Sequence, residues 1–111
     1  MRCWGANHFG QVGVGSRGAK ALAPGAQVAR LPPARAIASG LHHACALAKD
    51  GAVYCWGASY SGQTGDGAAL PPPGATGPSP AHPEATRVGG LPAPAVAIDA
   101  GTTSSCAVLA T

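Results

Sequence analysis

The tripeptide Cys3-Trp4-Gly5 returns as Cys55-Trp56-Gly57, and the match runs well past it. Cys3 to Gly15 and Cys55 to Gly67 share eight identical positions at an offset of 52 residues. A self-match at such a spacing marks a repeat architecture, whose units cannot bury their apolar faces alone and so stack on one another. A second block, Ala36 to Leu47, aligns with Ala97 to Val108 at an offset of 61 residues. The nine residues by which the offsets differ must lie between Gly67 and Ala97. The Pro-rich run from Leu70 to Pro83 is the place for them. Proline has no N–H to give a ladder, so residues 68–86 read as an extended, exposed loop insertion.

Gly and Pro together make 28 of the 111 residues, and only 10% of the chain is charged. Disorder needs low hydrophobicity with high net charge, and this chain has neither. The reading is therefore an all-β chain of many short strands joined by Gly/Pro turns. The net charge of +3 comes from scattered bases, with no basic run or face to hold nucleic acid. No apolar run is long enough to span a bilayer. The N-terminus lacks the pattern of a signal peptide, so any export signal is expected outside these residues.

Strand-like segments run from Gln27 to Leu31, Ala34 to Ala38, His43 to Leu47, Val53 to Trp56 and Ala95 to Ile98. If Lys49-Asp50-Gly51 is a three-residue hairpin loop with Gly51 left-handed, the register follows. Leu47 then faces Val53, Ala46 faces Tyr54, Cys45 faces Cys55, and small Ala44 stands opposite Trp56. Both faces are apolar, so this sheet is expected to be covered on both sides, as in stacked propeller blades. The chain opens on a hairpin's second strand (Arg2-Cys3-Trp4) and closes on a hairpin's first (Cys106 to Leu109). It is cut out of phase with its repeat: copies at about 1–35 and 36–95, and a partial third over 96–111.

These residues resemble the RCC1 repeat, named for the regulator of chromosome condensation. Its pattern is roughly Gly-x-x-His-x-x-Ala-Leu, an Asp-Gly turn, then Val-x-x-Trp-Gly-x-Asn-x-x-Gly-Gln-Leu-Gly. The second copy matches at Gly40, His43, Ala46, Leu47, Asp50, Gly51, Val53, Trp56, Gly57, Gly62, Gln63 and Gly65. The first matches at Trp4, Gly5, Asn7, Gly10, Gln11 and Gly13, and Gly101 takes the place of Gly40 in the third. The Cys-Trp-Gly and Cys-Ala-Leu variants look like a bacterial subset. Ser59 replaces Asn, Thr64 replaces Leu and Ser104 replaces His, which reads as drift among copies. The resemblance implies a β-propeller of four-stranded antiparallel blades, of which this chain holds about two.

The hairpin register also addresses the four cysteines. Directly opposed strand residues have Cβ atoms about 4.5–5.5 Å apart, close to the roughly 3.5–4.5 Å that a disulfide needs. Cys45 and Cys55 are the expected pair, which would imply an oxidising compartment. Cys3 and Cys106 lack the corresponding partner, and would bond across copies or to each other if the ends meet. The alternative has all four reduced and packed as small hydrophobes. His42 and His43 alternate across a strand and lack a Cys-x-x-Cys companion, so no metal site is expected. His43 is expected to hydrogen-bond a neighbouring turn instead. Trp4 and Trp56 are expected as blade-packing anchors.

No catalytic constellation stands out. Asp50 and Asp66 belong to turns, and no carboxylates are spaced for acid–base work. Ser104-Ser105 lacks a nucleophile-elbow context, and the Gly-rich run from Gly10 to Gly15 precedes no helix to cradle a phosphate. No cofactor is expected. The reading is a non-enzymatic module that binds a protein partner or acts as a scaffold. Its candidate surface is the Phe9 loop, the Tyr60 loop and the Pro-rich insertion. The resemblance also implies two alternatives: guanine-nucleotide exchange on a small GTPase, and a secreted enzyme-inhibitor propeller. The unpaired terminal strands add the possibility of self-association.

Overall fold

Ala44 and Ala46 are small where Trp56 and Tyr54 are large, and this pairing builds the centre of the fold. In the computed structural model, which describes all residues but 2, 16–17, 23–26, 61, 66–80 and 111, strands β4 (His43–Ala48) and β5 (Val53–Ala58) form an antiparallel hairpin. Its register sets Ala44 against Trp56, Cys45 against Cys55, Ala46 against Tyr54 and Leu47 against Val53, as the turn predicted. Gly51 takes φ +90°, a conformation that L side chains rarely adopt, so the turn needs glycine there. Asp50 Oδ1 accepts the Ala52 N–H at 3.0 Å and the Ala48 N–H reaches the Ala52 carbonyl at 2.9 Å, which closes the loop.

Two further strands complete a four-stranded antiparallel sheet in the order β3-β4-β5-β6, with β3 at Ala34–Ser39 and β6 at Ala81–Arg87. A two-stranded sheet precedes it, β1 (Gly5–Asn7) with β2 (Gly18–Leu22). Another follows, β7 (Ala95–Ala100) with β8 (Ser105–Leu109). No helix occurs among the described residues, and none is long and apolar enough to cross a membrane.

The central sheet is covered on both faces. On one, Trp56, Ala44, Ala46 and Ala85 form a buried cluster with Val28, with Cys3 and Leu31 packed against it. On the other, Cys45, Leu47, Val53 and Cys55 pack on Ala95, Ile98, Ala107 and Leu109 of the last sheet. Alternation along β4 and β5 thus supplies one apolar layer to each neighbour, and every residue of β4 is buried. At about 25 cal/mol per Å² of apolar surface, this two-sided burial is the main force holding the sheets together.

Three expectations need correction. Gln27 to Leu31 is not a strand: Gln27 makes an isolated bridge, and Arg30 turns the chain with φ +63°. Cys3 and Trp4, expected within a strand, precede the first described strand, which starts at Gly5; no described strand lies alongside them, as expected, and Arg2 lies outside the described residues. The supposed loop 68–86 ends in a strand. Residues 81–87 pair with β5, with a register irregularity between Cys55 and Gly57 that accommodates Pro83. β6 is last in the sheet order, so Pro83 owes no N–H to a further strand, and its carbonyl accepts the Gly15 N–H at 2.7 Å. The rest of the insertion lies outside the described residues.

Candidate protein-binding face

Each copy ends its Trp-Gly strand in the same double turn. The Gly10 N–H reaches the Asn7 carbonyl and the Gly13 N–H the Gly10 carbonyl, at 3.2 and 2.9 Å. The Gly62 and Gly65 N–H groups repeat this on Ser59 and Gly62, at 3.1 and 3.0 Å. Gly10, Gly13, Gly62 and Gly65 all have positive φ, as do Gly5 and Gly57. The turns raise Phe9 and Tyr60 to one face of the stacked sheets. There the Phe9 ring lies 4.8 Å from the His42 imidazole and 5.8 Å from the Tyr60 ring, centroid to centroid. These distances suit tilted aromatic contacts. The three rings are half-buried and come from three separate loops. The sequence expectation that the Phe9 and Tyr60 loops are candidates for one surface leads here; His42 was not singled out for it.

Beneath this face Trp56 ties the first copy to the second. It is fully buried, and its indole N–H donates to the Gln11 carbonyl at 2.9 Å. Gly13 makes room for the ring: a Cβ there would lie 2.8 Å from the indole nitrogen. Gln11 in turn accepts the Phe9 N–H on Oε1 at 2.8 Å and so holds the aromatic loop in shape.

The departures from the repeat pattern have a structural reason. In the first copy Asn7 Oδ1 accepts the Val12 N–H at 3.2 Å. Ser59 and Thr64 stand at those two positions in the second copy, and their hydroxyls bond each other at 2.6 Å, both buried. The two exchanges belong together rather than to drift. Ser105 donates its proton to the Gln63 carbonyl at 2.7 Å, the carbonyl equivalent to that of Gln11. Its oxygen then accepts from His43 Nε2–H at 3.0 Å. The hydrogen bond of His43 thus goes to the first residue of β8 rather than to a turn, and Nδ1 lies against Gly40 with no hydrogen-bond partner among the described residues. Burial holds the imidazole below its usual pKa range, and a contact to the Ser104 backbone opposes this only in part.

The Ser105 proton is committed to a carbonyl, and among the described residues no carboxylate bonds His43 at its other nitrogen, so the pair as arranged lacks the features of an activated nucleophile. No three His, Cys, Asp or Glu side chains among the described residues cluster to hold a metal. Cys45 and Cys55 are joined by a disulfide, with Cα atoms 4.0 Å apart. Cys3 and Cys106 are free thiols, the first half-buried and the second exposed. Burial raises the Cys3 thiol, and the positive N-terminus counters this in part. Trp4 is not the packing anchor expected from its twin: it is 64% exposed. Trp56 is closed over by Gln11, Gly13 and Val28 of the copy before it, and no such copy stands before Trp4 among the described residues. Asp50 and Gly51 form the β4–β5 turn, and Gly40 and Gly101 sit at corresponding β3–β4 and β7–β8 turns, each N–H bonded three residues on.

Antiparallel sheets stacked face to face, one of four strands between two of two, define the blades of a β-propeller, here one whole blade and two halves. Within the whole blade, residues 34–63 match the family model described as Regulator of chromosome condensation (RCC1) repeat. The chain also superposes on yeast RCC1 (Prp20) in its crystal structure with Kap60, at a TM-score of 0.71 and 28% identity. That match covers 96% of this chain and 25% of the yeast one. A second structure, of Prp20p from Saccharomyces cerevisiae, described with its binding to Gsp1p and histones, gives a TM-score of 0.70, 28% identity, and coverage of 96% and 26%. The chain thus spans about a quarter of these structures. No curated protein matches the sequence.

Proposed function

We propose that this chain is a non-enzymatic, RCC1-type propeller module that binds a protein partner through the face carrying Phe9, His42 and Tyr60. The observation that carries the reading is the convergence of three rings from three loops on a scaffold whose own polar groups are spent on holding those loops. Aromatic side chains on rigid turns give large contact area at little cost in ordering, which suits an interface anchor. The yeast RCC1 structures are of proteins described with bound or binding proteins, which supports the same class of role. The test compares the wild-type chain with a Phe9→Ser/Tyr60→Ser variant in quantitative affinity capture. At least one protein should be retained by the wild type and lost by the variant, with the Cys45–Cys55 bridge intact in both. If the two retain the same proteins, the proposed face is wrong.

A second reading is guanine-nucleotide exchange, favoured by the similarity to a protein whose structure is described with its binding to Gsp1p. The arm that separates the two is release of a fluorescent guanine nucleotide from purified Gsp1p. Stimulation by this chain would establish exchange, and unchanged release would leave binding alone. The disulfide supports an oxidising compartment for the protein. Thiol labelling of the chain in intact cells, before and after reduction, checks this directly.

A further inference from the structure

The two half-blades are complementary halves. By the Cys-Trp-Gly match, β1 and β2 correspond to β5 and β6; by the Ala36 and Ala97 blocks, β7 and β8 correspond to β3 and β4. Set side by side as β7-β8-β1-β2, they reproduce the order of the central sheet. The central register translates as well. Cys45 opposite Cys55 becomes Cys106 opposite Cys3, and Ala44 opposite Trp56 becomes Ser105 opposite Trp4.

A second tryptophan socket, filled by no side chain among the described residues, lies where that arrangement needs one. Trp56 enters a site made by Gly13, Val28 and the Gln11 carbonyl. Gly65, Val88 and the Gln63 carbonyl repeat this site. A Cβ on Gly13 would stand 3.0 Å from Val28 Cγ1, and one on Gly65 would stand 3.0 Å from Val88 Cγ1. The Ala29 N–H reaches the Gly13 carbonyl at 2.7 Å, and the Gly89 N–H the Gly65 carbonyl at 3.0 Å. In the first site an indole fills the space. In the second there is a cavity of about 270 Å³, walled on its far side by Thr103, Ser104 and Ser105. Meanwhile Trp4 is exposed, and Ile37, 50% exposed, lines a groove with Cys3. Ile37 stands to Cys3 as Ile98 stands to the Cys45–Cys55 layer that it packs on.

We propose that copies of this chain join head to tail, β7–β8 of one pairing with Cys3–Asn7 and β2 of the next to complete a four-stranded blade, with the incoming Trp4 in the socket of Gly65 and Val88. Its indole N–H shares the Gln63 carbonyl with Ser105, since a carbonyl oxygen has two lone pairs. The contact joins two different surfaces, so it forms rings where the rotation closes and filaments where it does not. Each copy adds two blades' worth of strands. Propellers have about four to eight blades, so closed rings hold about two to four copies. Cys106 and the next copy's Cys3 then face each other as Cys45 and Cys55 do. With glutathione disulfide as oxidant, the two thiols form one interchain disulfide and release two glutathione thiols.

The test uses the 111-residue chain, first by light scattering over a concentration series, then by peptide mapping after oxidation with glutathione disulfide. Species of two to four copies or longer, carrying interchain Cys3–Cys106 peptides, are expected. Trp4→Ala, at an exposed position, should weaken assembly about tenfold or more, as loss of a buried aromatic anchor does. A mixture of Cys3→Ala and Cys106→Ala chains should give one crosslink, Cys106 of the first to Cys3 of the second. A monomer at all concentrations, crosslinks of Cys3 to Cys3 or Cys106 to Cys106, a Cys3–Cys106 bond within one chain, or undiminished assembly of Trp4→Ala would each overturn the proposal.

Discussion

The backbone carbonyl at Gln11 and its equivalent at Gln63 shows how single side chains set the joints between copies. One accepts an indole N–H from Trp56, the other a hydroxyl from Ser105, so the same acceptor is satisfied by different donors. The Ser59–Thr64 bond is the same kind of solution inside one turn. A buried hydroxyl stripped of its partner costs about 1–3 kcal/mol, whereas removing both partners together is nearly neutral. Ser59→Ala and Thr64→Val are therefore each expected to lower stability by about 1–2 kcal/mol in urea unfolding, and the double variant by no more than the worse single one. Additive losses would show that the pair is not coupled. His43 carries a pH signature. Its buried imidazole titrates below the usual 6.5, so the fold favours the neutral form. That contribution is complete above the unfolded value of 6.5 and is lost as pH falls from there through the lower folded value. As pH falls below 6.5 the wild type should lose stability more steeply than His43→Gln; parallel curves would exclude His43 as the cause.

At the scale of elements, the β4–β5 hairpin carries the most information per residue. Lys49-Asp50-Gly51 dictated the turn, the turn dictated the register, and the register placed Cys45 on Cys55. That much was legible because a three-residue loop leaves little freedom and side chains alternate with period two. Strands β2 and β6 were not legible. Gly18 to Leu22 has no β-branched residue, and Ala81 to Arg87 contains a proline, so neither reads as a strand until a partner edge supplies its hydrogen bonds. Conversely, Gln27 to Leu31 had the right composition, but Arg30 turns it aside. The aromatic face was legible as two loops; that His42 joins them depends on a tertiary approach between copies. The disulfide closes a loop with a sequence separation of 10, for which the chain-entropy model gives about 2–3 kcal/mol. The Cys45→Ala/Cys55→Ala variant should lose about that much in urea unfolding, with its midpoint lowered and its slope little changed. A loss near zero would mean that the strands hold this register without the bond.

For the whole molecule, order should grade outward from the central blade. Repeat proteins are stabilised by their units and by the interfaces between neighbours, and among the described residues only the central sheet has a neighbour on both faces. Every residue of β4 is buried, whereas β8 holds only exposed and half-buried positions and has an edge that pairs with no described strand. Such an edge opens with little loss of apolar contact. Amide hydrogen exchange should accordingly be slowest in β4 and β5 and fastest in β8 among the strands of the two later sheets. The same measurement distinguishes a permanently open edge from one that a second copy covers. Raising the protein concentration should slow exchange in β8 and in Cys3–Asn7 together while leaving β4 unchanged, because a ligand that binds only the folded edge stabilises it by mass action. Slowing in β8 alone would point to a different occupant of that edge. Concentration-independent exchange throughout would mean that each chain keeps its half-blades to itself.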